Sequence, residues 1–495
     1  MQLEVLEGSY PEVKTDVLIL GCFEDDVLNP PIKYVDERLN GLIAKQVQKK
    51  NLTGEYKQIK TFPLNTKPEW VVIIGLGKKS QFTLERLRRC AGVAAKAARQ
   101  LGASFTTNLH VYGSSTPYDN GKALAMGTLL GLYQFTKYKT QDKEKHKAIE
   151  YATILDTEKQ KSELVRGVSE ATIIAESVNI ARDLVNTPAA DLPPRTLASE
   201  AKRILKAVGC SVDILDRKDM EKRGMNAIVG VGKGSNEEPQ FIVVEYGPKK
   251  QKPIVLAGKG VCFDTGGYSL KTPYTVMTGM KMDMAGAAAV IAAIRASALL
   301  KVQQRIVGLI PAVINDVSGT AQHPDDIVKA FNGKTIEIIN TDAEGRLILA
   351  DTLAYAETLQ PQAIVDAATL TGACMIALGY PHAGLFTRSE EMARRLLEAG
   401  MNTGDMCWRL PMTQDYDELI KSDVADMRNI GKDTYAGAII GAVFLQQFVD
   451  KTPWAHLDIA GPAFLPDERE YNPKGGSGAA ARLFIELLQN WQTIE

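Results

Sequence analysis

The stretch Ile254-Val255-Leu256-Ala257-Gly258-Lys259-Gly260-Val261-Cys262-Phe263-Asp264-Thr265-Gly266-Gly267 starts as an apolar run and ends in charge and glycine. A short apolar run bounded by glycine reads as a strand covered on both faces, the signature of a sheet sandwiched between helices. Open α/β sheets place their sites just past such strand ends, so Lys259 and Asp264 stand where chemistry is expected. Working outward, residues 241–245, 306–310, 335–339 and 363–366 are again strand-like. Residues 285–300 and 347–358 carry helical patterns between them. Towards the N-terminus, residues 16–22, 70–74, 108–112 and 149–155 predict further strands. Residues 84–101 predict a helix with Thr83 as N-cap and Gly102 behind it.

This alternation specifies the α/β class. At 495 residues the chain exceeds what one hydrophobic core supports. A Lys-rich interval at 137–147, followed by a helical pattern over 158–185, places the boundary between domains spanning 1–160 and 161–495.

A hydrophobic share of 45% and a charged share of 24% are those of a soluble globular protein. The net charge of −1 provides no whole-chain attraction to nucleic acid or to an anionic membrane. Nucleic acid stays open as a partner without being indicated. The six cysteines lack C-x-x-C spacing, which argues against a zinc ribbon or a thioredoxin-like motif and for free thiols in a reducing compartment. Residues 1–13 hold no signal-peptide core, and no run of about 18 apolar residues suggests a membrane span. A cytoplasmic protein is expected.

Two more segments concentrate charge beside glycine: Ser269-Leu270-Lys271 with Met280-Lys281-Met282-Asp283-Met284, and Asn340-Thr341-Asp342-Ala343-Glu344-Gly345-Arg346-Leu347. In an extended stretch Asp342 and Glu344 would face the same side, and two converging carboxylates require a proton or cation between them. An acidic helix N-terminus is the alternative. Asp264 reads equally as an Asx turn and Asp283 as a helix N-terminal residue, while Lys259 and Lys271 fit solvated surface positions and Arg346 an ion pair. The combination favours a metal site. The five dispersed histidines and the absence of H-E-x-x-H make a histidine-based zinc peptidase unlikely, and an oxygen-rich site suits manganese or magnesium while permitting zinc.

Asn340 through Leu347, NTDAEGRL, resembles the signature of the leucine aminopeptidase (cytosol aminopeptidase) family, and GKGVCFDTGGYSLK from Gly258 to Lys271 resembles its other active-site segment. The resemblance continues through ARDLVNTP (181–188), residues 318–333, AATLTGA (367–373) and AHLDIAG (455–461). It implies an N-terminal macro-like α/β domain followed by a larger α/β/α catalytic domain with a mixed central sheet. The implied activity is a metallo-exopeptidase that removes the N-terminal residue, Leu-like but broadly, through a hydroxide bridging two divalent ions. Zinc or manganese is implied, with magnesium or cobalt as alternatives. Lys259, Asp264, Asp283, Asp342 and Glu344 match the metal ligands, with Asp264 and Glu344 bridging. Lys271 and Arg346 match the catalytic pair, Arg346 holding a bicarbonate ion. Met280, Thr369, Gly372 and Ala460 match the substrate pocket. A homo-hexamer acting on peptides in the cytoplasm is implied, and some bacterial relatives add DNA binding. Departures include Cys262 and Thr265 where Thr and Ser are common, and one extra residue between Lys271 and Asp283.

Overall fold

A computed structural model describes residues 1–10, 14–141, 146–156 and 159–493. The expected helix start at residue 158 and part of the Lys-rich interval lie outside these residues. The chain forms two compact units, Met1–Glu176 with Asp467–Pro473, and Ser177–Pro466 with Lys474–Glu495. The helix Lys161–Asn186 runs through the division, so the expected boundary at 160/161 lies at its start and the division within it.

The first unit holds a six-stranded sheet ordered Gln2–Glu7, Tyr151–Asp156, Ser104–Thr107, Val17–Phe23, Trp70–Gly77 and Ile59–Pro63. Its pairings are parallel except the antiparallel Ile59–Pro63 edge. The helix Leu84–Leu101 forms where expected, with the Thr83 side chain accepting from Arg86 N and Gly102 at its end. The strand expected at 108–112 is instead a 3-10 turn, Leu109–Tyr112. Pairing with both neighbours stops at Thr107, so the apolar run after it has no ladder to join and turns to bury Leu109 and His110.

The second unit is built on a nine-stranded mixed sheet. Eight strands follow the order Cys407–Arg409, Ala383–Phe386, Trp454–Asp458, Ala363–Ala368, Ile254–Gly258, Ile306–Asn315, Gln240–Tyr246 and Ser211–Leu215. The ninth, Gly260–Asp264, pairs with Ile306–Asn315 beyond the end of Ile254–Gly258. Trp454–Asp458, Ala363–Ala368, Ile254–Gly258 and Ile306–Asn315 are mutually parallel, so their C-terminal ends open on one edge of the sheet. That edge is where a site is expected in such a sheet. Helices cover both faces: Ala285–Leu299 on one, Glu344–Thr358 with Asn226–Gly232 and Gly437–Gln446 on the other. The very apolar Ala285–Leu299 is buried along nearly its whole length, which makes it a core helix. Its entry needs Gly286, where a Cβ would lie 2.0 Å from Ala367 O and 2.8 Å from Lys259 N. The helix N-terminus is thereby pressed against the strand ends that carry the site.

Candidate active site

The segments that follow Ile254–Gly258 and Gly260–Asp264 meet the segment that follows Thr335–Glu337, a strand of a separate three-stranded sheet, and each brings a part of the expected cluster. Lys259 joins Ile254–Gly258 to Gly260–Asp264, and Asp264 ends the latter. Asp283 sits in the 3-10 turn Met280–Met284 that runs into Ala285–Leu299. Asp342 lies in a turn, and Glu344 is the first residue of the helix Glu344–Thr358. The helix therefore starts three residues before the expected 347, and a turn leading into a helix, not an extended alternation, brings the two acids together. Candidate ligand oxygens of Asp264, Asp342 and Glu344 lie within 4.8 Å of one another.

The carboxylates pair off around two ammonium groups. Lys259 Nζ is 2.8 Å from Asp283 Oδ1 and 2.8 Å from Glu344 Oε1, and it donates to Thr369 O at 2.9 Å. Lys271 Nζ is 2.8 Å from Asp264 Oδ2 and 2.6 Å from Asp342 Oδ1. Lys259, Asp264, Asp283 and Glu344 are all buried. The surface reading of Lys259 and Lys271 therefore fails, as does that of Asp283 as an ordinary helix-start residue.

Burial and the neighbouring Asp264 charge push the Glu344 carboxyl up to about 8. Burial raises Asp283 to about 6 against the pull of Lys259, and burial with the Asp264 charge raises Asp342. Burial disfavours the Lys259 charge, but Asp283, Glu344 and Asp264 outweigh it and hold the ammonium above its usual range. Lys271 is held up in the same way by Asp264, Glu344 and Asp342. The cluster carries more acid than its contacting lysines balance.

Among the described residues, the buried carboxylate oxygens Asp283 Oδ2 and Glu344 Oε2 have no hydrogen-bond partner. Unpaired buried carboxylate oxygens are costly, and together with an oxygen-rich donor set they fit divalent cations. The residues present therefore match a metal centre.

Asn315 and Thr341, not singled out from the sequence, help to hold the acids in place, as does Thr369. Asn315 Nδ2 donates to Asp264 Oδ1 at 2.8 Å and to Thr341 O at 3.0 Å. Thr341 Oγ1 accepts from Ser269 N at 2.8 Å and donates to Gly266 O at 2.6 Å, stitching the 264–271 loop to the 340–346 segment. Gly266 has φ +90°, and a Cβ there would meet Ser269 O at 2.5 Å and Asp342 Oδ1 at 2.9 Å. Thr369 Oγ1 donates to Asp283 Oδ1 at 2.6 Å.

Asp458, fully buried, accepts from Leu370 N at 3.2 Å, Thr371 Oγ1 at 2.7 Å and Ala460 N at 3.1 Å. It thus ties Ala460 to the turn that carries Thr369 and leads into the helix Gly372–Leu378. Met280 opens the turn that bears Asp283. Arg346 is 7% exposed, and burial pulls its guanidinium down to about 10 against the charges of Glu344 and Asp458. His456 lies outside the cluster, buried with its Nδ1 2.6 Å from Asp366 Oδ1, and His323 is exposed beside Tyr268. Asn315 gave no signal in the sequence, whereas Asp458 lies within the AHLDIAG stretch.

A family model described as the cytosol aminopeptidase family, catalytic domain, matches residues 179–485, and one described as its N-terminal domain matches 19–142. A probable cytosol aminopeptidase of Roseiflexus castenholzii is 40% identical over 499 residues, covering 99% of both chains. Another from Geobacter sulfurreducens is 40% identical over 494 residues, again covering 99% of each. Among solved structures, a mutant of tomato leucine aminopeptidase superposes with TM-score 0.88 at 32% identity, over 99% of this chain and 96% of that one. A bottromycin maturation enzyme in complex with Mn gives TM-score 0.86 at 31% identity, over 96% and 99%.

Proposed function

The chain belongs to the cytosol aminopeptidase family and is a peptide-bond hydrolase of the aminopeptidase type, and on that premise we propose a specific assignment of its site. Lys259, Asp264, Asp283, Asp342 and Glu344 would hold two divalent ions. The convergence of these acids, with ligand oxygens of Asp264, Asp342 and Glu344 within 4.8 Å of one another, carries this reading. The family depends on two metals, and the Mn complex of a structural relative makes manganese a reasonable occupant, with zinc the main alternative.

Bound ions supply positive charge to a developing oxyanion and make water acidic enough to ionise near neutral pH. Lys271 keeps its proton and faces the reacting carbonyl, where an ammonium stabilises negative charge. Arg346 offers no lone pair and cannot act as a base, so its role would be to hold an anion, bicarbonate by family resemblance, whose basicity would be available to the leaving amine. Met280, Thr369, Gly372 and Ala460 line the pocket for the first side chain. A largely apolar pocket favours Leu-like residues, yet one methylene is worth only about 1–3 kcal/mol, so selectivity is broad. The family also supports a cytoplasmic homo-hexamer acting on peptides. The nucleic-acid alternative finds no support in the charge balance or in the relatives matched.

Glu344→Ala and Asp264→Ala are expected to abolish hydrolysis of a leucyl amide and to lower the metal-to-protein ratio. Normal turnover at full metal occupancy in either variant would overturn the assignment.

A further inference from the structure

Asn429 follows the short strand Met427–Arg428, which runs parallel to Thr335–Glu337. It is fully buried. Its main-chain N donates to Glu337 O at 3.0 Å, the last rung of that pairing. Beyond this point the side chain takes over: Oδ1 accepts from Ile339 N at 2.8 Å and Asn340 N at 3.2 Å, and Nδ2 donates to Asn340 O at 2.7 Å. One planar amide thus satisfies three backbone groups of the segment that leads to Asp342 and Glu344. Asn340 passes the constraint on, its Oδ1 accepting from Asp342 N at 2.8 Å.

The Asn429 carbonyl has a second task. It accepts from Arg346 Nη1 at 2.9 Å. Among the described residues this is the one hydrogen bond that the Arg346 side chain makes, and its buried Nε has no partner. A buried guanidinium carries five donors in a rigid fork, so the single contact that fixes its plane also decides where the remaining donors point.

We infer that Asn429 is the positioning residue that locks the Arg346 guanidinium and the Asp342–Glu344 turn into one frame. It touches no reacting atom and acts through its neighbours. Asparagine is required because the segment presents both N–H groups and a carbonyl. Alanine would leave all three unsatisfied, and aspartate would set an acceptor against Asn340 O. The inference rests on the reading of Arg346 as a catalytic position.

The test compares Asn429→Ala, Asn429→Asp, Arg346→Ala and the Arg346→Ala/Asn429→Ala double variant, each loaded with saturating Mn(II). Leucyl-amide kinetics, thermal midpoint and Mn(II) affinity by calorimetry are read for each. Asn429→Ala is expected to lower kcat by roughly tenfold or more with KM within about threefold, and to weaken Mn(II) binding by roughly tenfold to a hundredfold. Asn429→Asp should move the same way and decides the matter if the alanine variant does not fold. The double variant should be no slower than Arg346→Ala within about twofold, because the two residues act as a unit. A parent-like kcat in the Asn429 variants, or losses that multiply in the double variant, would overturn the inference. Parent turnover in Arg346→Ala would sink the reading of Arg346 instead, and Asn429 would then stand or fall on whether Mn(II) affinity weakens.

Discussion

Gly345 leaves the space that Lys259 fills: a Cβ at position 345 would stand 2.6 Å from Lys259 Cε and 2.7 Å from its Nζ. The lysine has no room to yield, since Asp283, Glu344 and Thr369 O hold its Nζ from other sides. Gly345→Ala should therefore displace Nζ, weakening metal binding by roughly tenfold to a hundredfold and reducing activity with it. Alanine is the better helix former by about 1 kcal/mol, so a loss of helix stability is not expected to account for the defect. Metal analysis beside the thermal midpoint checks this, and unchanged metal affinity would refute it.

Lys259 and Lys271 should respond differently to arginine. A metal ligand must offer a lone pair, which arginine lacks, whereas stabilising an oxyanion needs only a positive donor. Lys259→Arg is expected to lose metal from one site together with activity. Lys271→Arg should keep both ions and lose mainly kcat. Metal-to-protein ratios and single-substrate kinetics distinguish the two. Tight binding of two ions by Lys259→Arg would remove Lys259 from the ligand set.

Exopeptidase selectivity follows if one ion holds the free α-amine of the substrate. Acetylating the N-terminus of a good peptide substrate removes that lone pair and should suppress its cleavage by at least about a hundredfold, on the scale of a lost charge-assisted contact. Comparable cleavage of free and acetylated peptide, followed by chromatography, would contradict the binding mode.

His110 in the first unit should make that unit acid-sensitive. Among the described residues its buried ring nitrogens have no hydrogen-bond partner, and burial pulls its pKa from 6.5 down to about 4 despite the nearby Asp156 charge. Between these values the unfolded chain binds a proton that the folded one does not. The contribution is therefore fully present above pH 6.5 and is lost as pH falls towards 4, amounting to about 3 kcal/mol. His110→Leu should flatten the stability profile across that window. Denaturant unfolding at several pH values measures it, and an unchanged slope would exclude His110 as the cause.

The sequence by itself determined the α/β class, the larger second domain and the approximate places of most of the elements it predicted, because apolar runs and their caps are local signals. The helix Leu84–Leu101 carries its own N-cap and glycine stop, and it forms where they predict. The same locality explains the error at residues 108–112, where the apolar run is real but pairing with neighbouring strands ends at Thr107. The acids and lysines that the structure brings together were also legible, since charge beside glycine after a strand is unusual and their motifs are specific.

Only the tertiary structure decided how those residues meet. That Lys259 bridges Asp283 and Glu344 while Lys271 bridges Asp264 and Asp342 depends on segments distant in sequence converging at one place, which no spacing along the chain encodes. Asn315, Asn429 and Asp458 could not be read as supports, because an amide or a carboxylate becomes one only when folding sets it, buried, against backbone groups distant in sequence. Packing likewise sets the charges: Asp283, Glu344 and Asp264 hold Lys259 protonated against its burial, while burial lifts the Glu344 carboxyl to about 8. Periodicity along a chain records which side of an element faces the core; desolvation and mutual distance arise only from packing in three dimensions.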